Sequence, residues 1–305
     1  MVAIWSWPTR AVQLAAVRQA SALARGADMS YPSVGAGRVP SAEGLSVNLE
    51  ILGTEILRKL ETMIDTKVGM LAQATKSGPS DIVTEADRLM ETWLWQWVHN
   101  TYPDDGFLGE EHGWRFGPTG ARDWVVDPID GTANFAWGVP WACCSVGVLV
   151  GGAAEAGIIV DPFRREVYRT TMGEKVSLLN GRAVHVSEGA SLAGRLVLAE
   201  VPTGMPLTEL ERVTRAVVES GGSARAMGSG ALAMALVAAG RVHAVVHAGP
   251  SVWDVAAGVA LVKHAGGIVI GPDGAYVPSV AGPLIAGNAQ VCEVLRGILV
   301  GSSAN

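Results

Sequence analysis

Hydrophobic residues recur along the chain with two different spacings, and each spacing predicts a different kind of element. Residues 45–70 carry apolar side chains at every third or fourth position, which predicts an amphipathic helix. A second helix is predicted over residues 85–100, before the turn-forming run Tyr102-Pro-Asp-Asp-Gly106. Its apolar side is assigned to Leu89, Trp93, Leu94 and Trp97, and we expect the indoles to pack in the protein core.

The residues after Gly113 follow a strand pattern instead. Runs rich in β-branched residues, separated by glycine or turn residues, predict an antiparallel meander with strands at 123–126, 144–150, 154–160 and 165–171. From Arg195 onward the predicted strands and helices alternate, which is typical of an α/β lobe. The strands of that lobe are predicted at 196–200, 242–247 and 268–270, and the helices at 207–220, 231–239 and 253–265.

This organisation predicts three parts of the chain. Residues 1–44 are expected to form a loosely ordered N-terminal extension, because they are rich in arginine, proline and turn-forming residues. Their composition fits an organellar transit peptide and a bacterial N-terminal extension equally well. Residues 45–188 are expected to form an N-terminal α+β lobe with the antiparallel sheet, and residues 189–301 a C-terminal α/β lobe that completes the active site.

Composition and charge exclude several classes of protein. The chain has 305 residues, of which 49% are hydrophobic and 17% charged, a balance too apolar for a disordered chain. The apolar runs at 143–160 and 231–248 are interrupted by glycine and charged residues, so neither a transmembrane helix nor a membrane partner is expected. The net charge of −6 argues against a large nucleic acid as a partner, whereas a small phosphorylated substrate can bind if metal ions invert the local potential.

The cysteines bear on the cellular compartment. Cys143, Cys144 and Cys292 are odd in number and show no CxxC spacing, so they predict neither a disulfide framework nor a zinc cage. Reduced, buried thiols fit a cytoplasmic protein.

Two carboxylates three residues apart give the first indication of chemistry. Asp127 and Asp130 follow the buried strand Trp124-Val-Val126 and flank a turn stiffened by Pro128. A strand end that turns sharply can aim both carboxylates and the intervening Ile129 carbonyl at one point. Because Mg²⁺ prefers hard oxygen ligands at close quarters, this turn is a candidate metal site.

Other candidate groups are weaker when each is taken alone. The N–H groups of Gly131 and Thr132 offer a small anion nest for a phosphate. Glu110 and Glu111 form an acidic pair that fits a solvated surface turn equally well. Asp254 opens an otherwise apolar helix, where a carboxylate also has a purely structural use at the helix N-terminus.

Five short blocks of the sequence form a pattern when they are taken together. They are Lys76-Ser-Gly-Pro-Ser-Asp-Ile-Val-Thr-Glu-Ala-Asp87, Gly109-Glu-Glu111, Trp124-Val-Val-Asp-Pro-Ile-Asp-Gly-Thr-Ala-Asn-Phe135, Gly228-Ser-Gly-Ala231 and Trp253-Asp-Val-Ala-Ala-Gly258. In this order they resemble the inositol monophosphatase family of Mg²⁺-dependent, lithium-sensitive phosphatases. The resemblance extends from about residue 45 to the C-terminus. It implies an α+β and α/β fold, the layered α-β-α-β-α sandwich of the inositol monophosphatase and fructose-1,6-bisphosphatase type, with the metals between two lobes.

The resemblance also implies roles for individual residues. The ligands of two or three Mg²⁺ ions would be Glu110, Asp127, the Ile129 carbonyl, Asp130 and Asp254. Thr132 would orient and deprotonate the attacking water, Asp87 would accept a hydrogen bond from Thr132, and Glu110 would touch the same water. Lys76 would place a positive charge near the site, and Asp81 would brace that loop. This set suits phosphate monoesters, because clustered Mg²⁺ both activates water and neutralises the departing oxygen.

The implied substrate contacts raise a question about specificity. They are Asp130, Gly131, Thr132, Gly228, Ser229, Gly230, His247 and Asp254. His247 stands where inositol phosphatases carry an acidic residue that binds inositol hydroxyls, and a histidine lacks that charged acceptor. The first hypothesis is hydrolysis of myo-inositol 1-phosphate to inositol and phosphate. The alternative is the same chemistry on histidinol phosphate, 3′-phosphoadenosine 5′-phosphate or fructose 1,6-bisphosphate.

Two non-enzymatic hypotheses are weaker. A catalytically dead regulatory binding protein is expected to have lost a ligand, and all five ligand positions are present. A purely structural protein leaves the acidic residues unexplained, because like charges that converge without a metal destabilise the fold. The resemblance further implies a homodimer.

Overall fold

The computed structural model describes residues 42–66, 74–75, 82–115, 122–171, 173–200, 208–271, 274–276, 278 and 282–301. The helices are α1 (Ala42–Thr66), α2 (Glu85–Thr101), α3 (Thr132–Ala136), α4 (Thr208–Glu219), α5 (Gly230–Ala238), α6 (Val252–His264) and α7 (Ala289–Gly301). The strands are β1 (Ala74–Thr75), β2 (Ile82–Val83), β3 (Gly106–Gly109), β4 (Gly113–Arg115), β5 (Asp123–Asp130), β6 (Cys143–Val150), β7 (Ala153–Asp161), β8 (Glu166–Thr170), β9 (Ser177–Leu179), β10 (Arg182–Val184), β11 (Leu196–Glu200), β12 (Ser223–Arg225), β13 (Ala244–His247), β14 (Ile268–Gly271), β15 (Gly274–Ala275) and β16 (Leu284–Gly287).

An eight-stranded sheet contains the predicted meander. Its strand order is β10-β9-β8-β7-β6-β5-β3-β4, and β5 to β8 pair as antiparallel neighbours. The β6–β7 hairpin closes through Gly151 and Gly152, whose φ angles of 57° and 85° suit a tight two-residue turn that side chains resist. β3 differs from the meander, because it pairs with β5 in parallel.

A six-stranded mixed sheet forms the second half of the fold. Its order is β12-β11-β13-β16-β14-β15, with β11 parallel to both β12 and β13 and the remaining pairs antiparallel. A separate two-stranded sheet joins β1 and β2.

The described residues form three apolar clusters, which hold together five layers of helices and sheets. One face of the eight-stranded sheet packs against α1 and α2, and the other face packs against α5 and α6. The same two helices cover the inner face of the six-stranded sheet, whose outer face packs against α4 and α7. The order of layers is therefore α-β-α-β-α, which confirms the predicted sandwich.

Helix α6 lies unusually close to the eight-stranded sheet, and glycines make this possible. A Cβ atom on Gly147 would lie 2.5 Å from the Cβ of Ala256, and one on Gly157 would lie 2.7 Å from the Cα of Ala257. Side chains at either glycine would push the helix away. The glycines therefore set how near the first turn of α6 comes to β5.

The predicted helices and strands agree with the structure to within a few residues, with some corrections. The first helix begins at Ala42, three residues before the predicted start, and ends at Thr66. Leu89 was assigned to the buried side of α2, but it is 48% exposed, and Met90 takes the buried position. The buried face was inferred from the spacing of the tryptophans, which pack against the core while partly exposed. That inference placed the face one residue away from its true position.

Other sequence expectations also find their counterparts here. Trp93, Trp95 and Trp97 pack against the core beside α1 and α2. Cys143, Cys144 and Cys292 are buried free thiols. Within the described part of the chain, no helix is both long and apolar enough to cross a bilayer. The predicted extension at residues 1–44 lies outside the described residues up to position 41.

Candidate active site

A bulge in β5 brings two carboxylates to the same side of the sheet. Residues an odd number of positions apart on a regular strand face opposite sides. Asp127 pairs with Ser145 and Asp130 with Cys143, so three steps along β5 match two along β6. The extra residue lies around Pro128, which has no N–H to donate to the ladder. The bulge thus turns Asp127 and Asp130 toward each other, as their spacing around the proline predicted.

Glu110 reaches the same place because β3 runs parallel to β5. Parallel strands end at the same edge of a sheet, and here Gly109 lies beside Val126. The chain continues this pairing for one more step, since the N–H of Glu110 donates to the Val126 carbonyl over 3.2 Å. The Glu110 carboxylate is close enough for its charge to raise the pKa of both Asp127 and Asp130.

Asp254 comes from the other half of the fold. It occupies the third position of α6, where its Oδ2 accepts the N–H of the N-cap residue Ser251 over 2.7 Å. Because α6 lies close to the sheet, this first turn reaches the end of β5. Ligand oxygens of Asp127, Asp130 and Asp254 all lie within 4.8 Å of one another.

The electrostatics of this cluster favour a bound cation. Asp127 is fully buried, and its burial followed by the charges of Glu110, Asp130 and Asp254 raises its pKa well above the ordinary range. Its Oδ1 is buried and finds no hydrogen-bond partner among the described residues. A buried carboxylate oxygen without a donor is expensive unless a metal ion satisfies it. Clustered carboxylate oxygens are ligands for a hard divalent cation, so these residues fit the predicted metal.

Asp130 is held from the opposite side by the loop before α5. Its Oδ2 accepts the Ser229 hydroxyl over 2.7 Å and the Ala231 N–H over 2.6 Å. Burial raises the pKa of Asp130 to about 7, although these two hydrogen bonds act in the other direction. Both of these hydrogen bonds end on Oδ2. Ser229 therefore acts on the site through Asp130 as well as lining it.

Thr132 and Asp87 are joined by the hydrogen bond that the family resemblance implied. The Thr132 hydroxyl lies 3.1 Å from Oδ1 of Asp87 and 2.9 Å from the Ile129 carbonyl oxygen. Asp87 Oδ2 accepts the N–H of Thr84 over 2.8 Å and its hydroxyl over 2.5 Å, which completes a capping box at the start of α2. Burial raises the pKa of Asp87 to about 6.

The remaining predicted residues form the wall beside the cluster. A Cβ atom on Gly131 would lie 2.9 Å from the Trp141 carbonyl oxygen and 3.2 Å from that of Gly228, and its φ of 91° also favours glycine. A Cβ atom on Gly230 would lie 2.8 Å from Nε2 of His247 and 3.7 Å from the Cβ of Asp254. Gly230, His247 and Asp254 therefore lie close together.

His247 is a neutral, buried group. Burial lowers its pKa to about 4, so the imidazole carries no charge near neutral pH. Its Nδ1 is buried and has no hydrogen-bond partner within the described part of the chain. The Tyr276 hydroxyl is also buried without a hydrogen-bond partner among the described residues. Burial and, to a smaller extent, the Asp254 charge raise the pKa of Tyr276.

Two buried glutamates beside the site were missed in the sequence. Glu91 accepts backbone N–H groups of Glu111 and His112, and Glu200 accepts those of Met227 and Gly228. A signal for Glu91 existed, since it lies one helical turn after Asp87 and therefore on the same face of α2. Glu200 gave a weaker signal, as the only charged residue of the apolar strand β11. Lys76 and Asp81 lie outside the described residues.

Comparisons with known proteins agree with this geometry. The model of the inositol monophosphatase family matches residues 46–299. An inositol-1-monophosphatase of Mesorhizobium japonicum is 35% identical over 231 residues, covering 73% of this chain and 84% of that protein. A Nus factor SuhB of Pasteurella multocida is 32% identical over 233 residues, covering 74% of this chain and 85% of that protein.

Solved structures give the same picture. The extragenic suppressor protein suhB of Bartonella henselae superimposes with a TM-score of 0.77 at 28% identity, covering 84% of this chain and 98% of that one. The inositol monophosphatase of Anabaena superimposes with a TM-score of 0.71 at 28% identity, covering 85% and 97%. All of the predicted metal ligands lie within the matched residues 46–299.

Proposed function

The chain belongs to the inositol monophosphatase family, and we propose that it is a Mg²⁺-dependent phosphomonoesterase that hydrolyses myo-inositol 1-phosphate to inositol and phosphate. Family membership supports a phosphoric monoester hydrolase, and the substrate and the identity of the metal are our inference. The observation that carries the proposal is the meeting of Asp127, Asp130 and Asp254 within 4.8 Å, with one oxygen of Asp127 buried and unpartnered among the described residues.

The proposed ligands are the three aspartates together with Glu110 and the Ile129 carbonyl. Two or three Mg²⁺ ions held there would supply positive charge for the transferring phosphoryl group and a nucleophile at neutral pH. The ligands come from both halves of the fold, since Asp254 lies on α6, Glu110 follows β3 directly, and the others lie on β5. We accordingly keep the division into an extension (1–44), an N-terminal lobe (45–188) and a C-terminal lobe (189–301) as a proposal.

The chain's own proton-handling groups are Thr132 and Asp87. The Thr132 hydroxyl has a single proton and two acceptors within reach, so donating to one of them leaves its lone pairs able to orient a water. Asp87 is held by Thr84 and keeps the hydroxyl in that position. We propose that this pair orients and deprotonates the attacking water, with Glu110 as a second contact of that water.

We also propose residues for the phosphate and alcohol ends of the substrate. The N–H groups of Gly131 and Thr132 lie beside Asp130 and suit a phosphate. Gly228, Ser229 and Gly230 form the backbone wall on the alcohol side. His247 lies behind Gly230 and offers a neutral hydrogen-bonding group in place of a carboxylate.

His247 is also the observation that favours a second candidate. A neutral imidazole binds a polyol hydroxyl less strongly than a charged acceptor does. The same chemistry on another small ester, namely histidinol phosphate, 3′-phosphoadenosine 5′-phosphate or fructose 1,6-bisphosphate, is therefore the alternative. Some relatives carry the name Nus factor SuhB, and the acidic cluster of this chain supports catalysis.

Further properties belong to the same proposal. Li⁺ is expected to inhibit, because a small hard cation competes for carboxylate oxygens. A homodimer is proposed, and the exposed apolar side chains of Trp137 and Val139 offer surface for protein contact. Three free thiols fit a reducing cytoplasm, and the net charge of −6 disfavours a large nucleic acid as a partner.

The test is phosphate release by the purified full chain from the four esters, with Mg²⁺, with EDTA and with Mg²⁺ plus Li⁺. We expect Mg²⁺-dependent, Li⁺-inhibited release with the highest kcat/KM on myo-inositol 1-phosphate. A preference for another ester would keep the chemistry and replace the substrate. Absence of release from all four by metal-loaded protein would overturn the proposed activity.

A further inference from the structure

A fully buried glutamate lies directly behind the loop that carries Glu110. Glu91 is on α2, and only 1% of its surface is exposed. Its Oε2 accepts the N–H of Glu111 over 2.6 Å, and its Oε1 accepts the N–H of His112 over 2.9 Å. The same Oε1 lies 2.7 Å from Nδ1 of the His112 ring. One carboxylate therefore binds the two residues that follow Glu110.

The residue before Glu110 is held against the same carboxylate. A Cβ atom on Gly109 would lie 2.2 Å from the carboxylate carbon of Glu91, so there is no room for a side chain at position 109. The Glu110 N–H itself is bound to the Val126 carbonyl. The backbone on both sides of Glu110 is thus held in place, by Val126 at one point and by Glu91 at the next two residues.

Glu91 also shares a helix face with a group already placed in the reaction. Asp87 lies one turn earlier on α2, is equally buried, and supports the Thr132 hydroxyl. The two carboxylates point from one rigid helix at two different parts of the site. A charged group buried this deeply is stabilised only by the donors that surround it, so the loop and the helix hold each other in one arrangement.

We propose that Glu91 is a positioning residue, which fixes the Glu110 loop so that the Glu110 carboxylate is preorganised for the metal. The proposal rests on the proposed function, because it needs Glu110 to be a ligand. A loop that must be ordered before it can bind lowers the affinity for its ligand, and a preordered loop avoids that loss. Removing the contacts of Glu91 with this loop is therefore expected to lower the affinity for metal while the protein still folds.

The experiment measures metal binding without substrate. Mg²⁺ affinity is determined by calorimetry, and Mn²⁺ affinity by electron paramagnetic resonance of the free ion, for wild type and for Glu91→Gln. Glutamine keeps the volume but turns an NH₂ group toward a backbone N–H, so one of the two contacts is lost. We expect a loss of affinity of about 10- to 100-fold, as for other groups that hold metal ligands in place.

A matched control separates positioning from general destabilisation. Asp105→Asn removes another buried carboxylate, which binds Trp124 Nε1 and Arg122 at the opposite end of β3. Its thermal stability is expected to fall as well, while its Mg²⁺ affinity stays within about 3-fold of wild type. His112→Ala leaves both backbone contacts of Glu91 intact and is expected to behave like this control.

The outcomes are distinct. Unchanged affinity in Glu91→Gln, or an equal loss in Asp105→Asn, would overturn the positioning role while leaving the proposed function intact. Wild-type protein that binds neither Mg²⁺ nor Mn²⁺ would overturn the metal assignment itself, and the positioning role with it. If Glu91→Gln does not fold, Gly109→Ala tests the same contact from the loop, because its Cβ displaces the loop from Glu91; normal affinity there would also overturn the proposal.

Discussion

The hydroxyl of Thr132 lies 3.1 Å from Oδ1 of Asp87, which links the first residue of α3 to the first turn of α2. The two residues are 45 positions apart in the chain. Their contact joins a hydroxyl just after the end of β5 to a carboxylate whose other oxygen binds the N–H and the hydroxyl of Thr84. A substitution of either residue is therefore expected to change the position of the other side chain.

Removing the Thr132 hydroxyl is expected to affect turnover rather than metal binding. Thr132→Val keeps the shape of the side chain but leaves no group to orient and deprotonate a water, so kcat falls by about 10²- to 10⁴-fold. Thr132→Ser retains the hydroxyl and serves as the control, with kcat within about 10-fold of wild type. Initial rates at saturating Mg²⁺ test this. Near-normal kcat in Thr132→Val would show that the hydroxyl has no part in the reaction.

Neutralising one member of the acidic cluster is expected to abolish most of the activity without lowering the thermal stability of the metal-free protein. Burial and the charges of Glu110, Asp130 and Asp254 all disfavour the charged form of Asp127, and Asp127→Asn replaces it with a neutral group, so the metal-free variant unfolds at the same temperature as wild type or higher. Its activity falls by more than about 100-fold, and Mg²⁺ no longer raises its Tm. Thermal unfolding with EDTA and with Mg²⁺ measures both effects. The exposed Asp104→Asn is the control; a full Mg²⁺-dependent Tm increase in Asp127→Asn would argue against its being a ligand.

The stability of metal-free protein is expected to fall as the pH rises. Folding raises the pKa of Asp87 to about 6 and that of Asp130 to about 7, from an ordinary value of 3.8. Between these values the folded state holds more protons than the unfolded state, so the free energy of unfolding decreases with rising pH. The contribution of each group is complete below pH about 4 and is lost as the pH passes its folded pKa.

Urea unfolding in EDTA at several pH values between 4.5 and 7.5 measures this slope. Asp130→Asn lacks one of the two groups and should show a shallower decrease than wild type. Saturating Mg²⁺ should remove most of the decrease, because the cation replaces the protons. A free energy of unfolding that rises steadily across this range in EDTA, with the same slope in Asp130→Asn, would contradict the pKa values.

Much of the site was predictable because its chemistry is local in sequence. Asp127, Ile129, Asp130 and Thr132 lie within six residues, and their turn could be deduced from Pro128 and the strand before it. The outer helices were predictable from apolar residues at every third or fourth position, and the meander from runs of β-branched residues bounded by glycines. These features depend on neighbours in the chain.

The parts that sequence reasoning missed depend on contacts between distant segments. The parallel pairing of β3 with β5, which carries Glu110 to the cluster, has no signature in the four residues of β3. The roles of Glu91 and Glu200 depend on backbone N–H groups about 20 and 27 positions away, and such donors exist in any sequence. In the sequence, Gly147 and Gly157 look like ordinary strand glycines, and their role is evident only from the packing of α6 against them.

The His247 ring can take its observed position only because residue 230 has no side chain. Substitutions at these two positions therefore test whether they contribute to substrate binding. Gly230→Ala places a Cβ 2.8 Å from Nε2 and must displace the imidazole, so KM is expected to rise on whichever ester the enzyme prefers. Gly230 has an ordinary φ, so the effect comes from the lack of space and not from backbone strain. Gly230→Ala combined with His247→Ala frees that space; a KM equal to that of His247→Ala alone would show that the two residues act as a unit.

Exchanging His247 for an acid tests the alcohol end of the site directly. A carboxylate accepts hydrogen bonds from hydroxyl groups more strongly than a neutral imidazole, so His247→Glu should raise kcat/KM for myo-inositol 1-phosphate relative to the other three esters by about 10-fold. His247→Gln has a comparable length without the charge, and the ratio is expected to stay near that of wild type. Because each protein is compared with itself across esters, losses of stability or metal affinity cancel in the ratio. An unchanged ratio in His247→Glu would mean that residue 247 does not face the alcohol, and the choice of substrate would then depend on other residues of the wall.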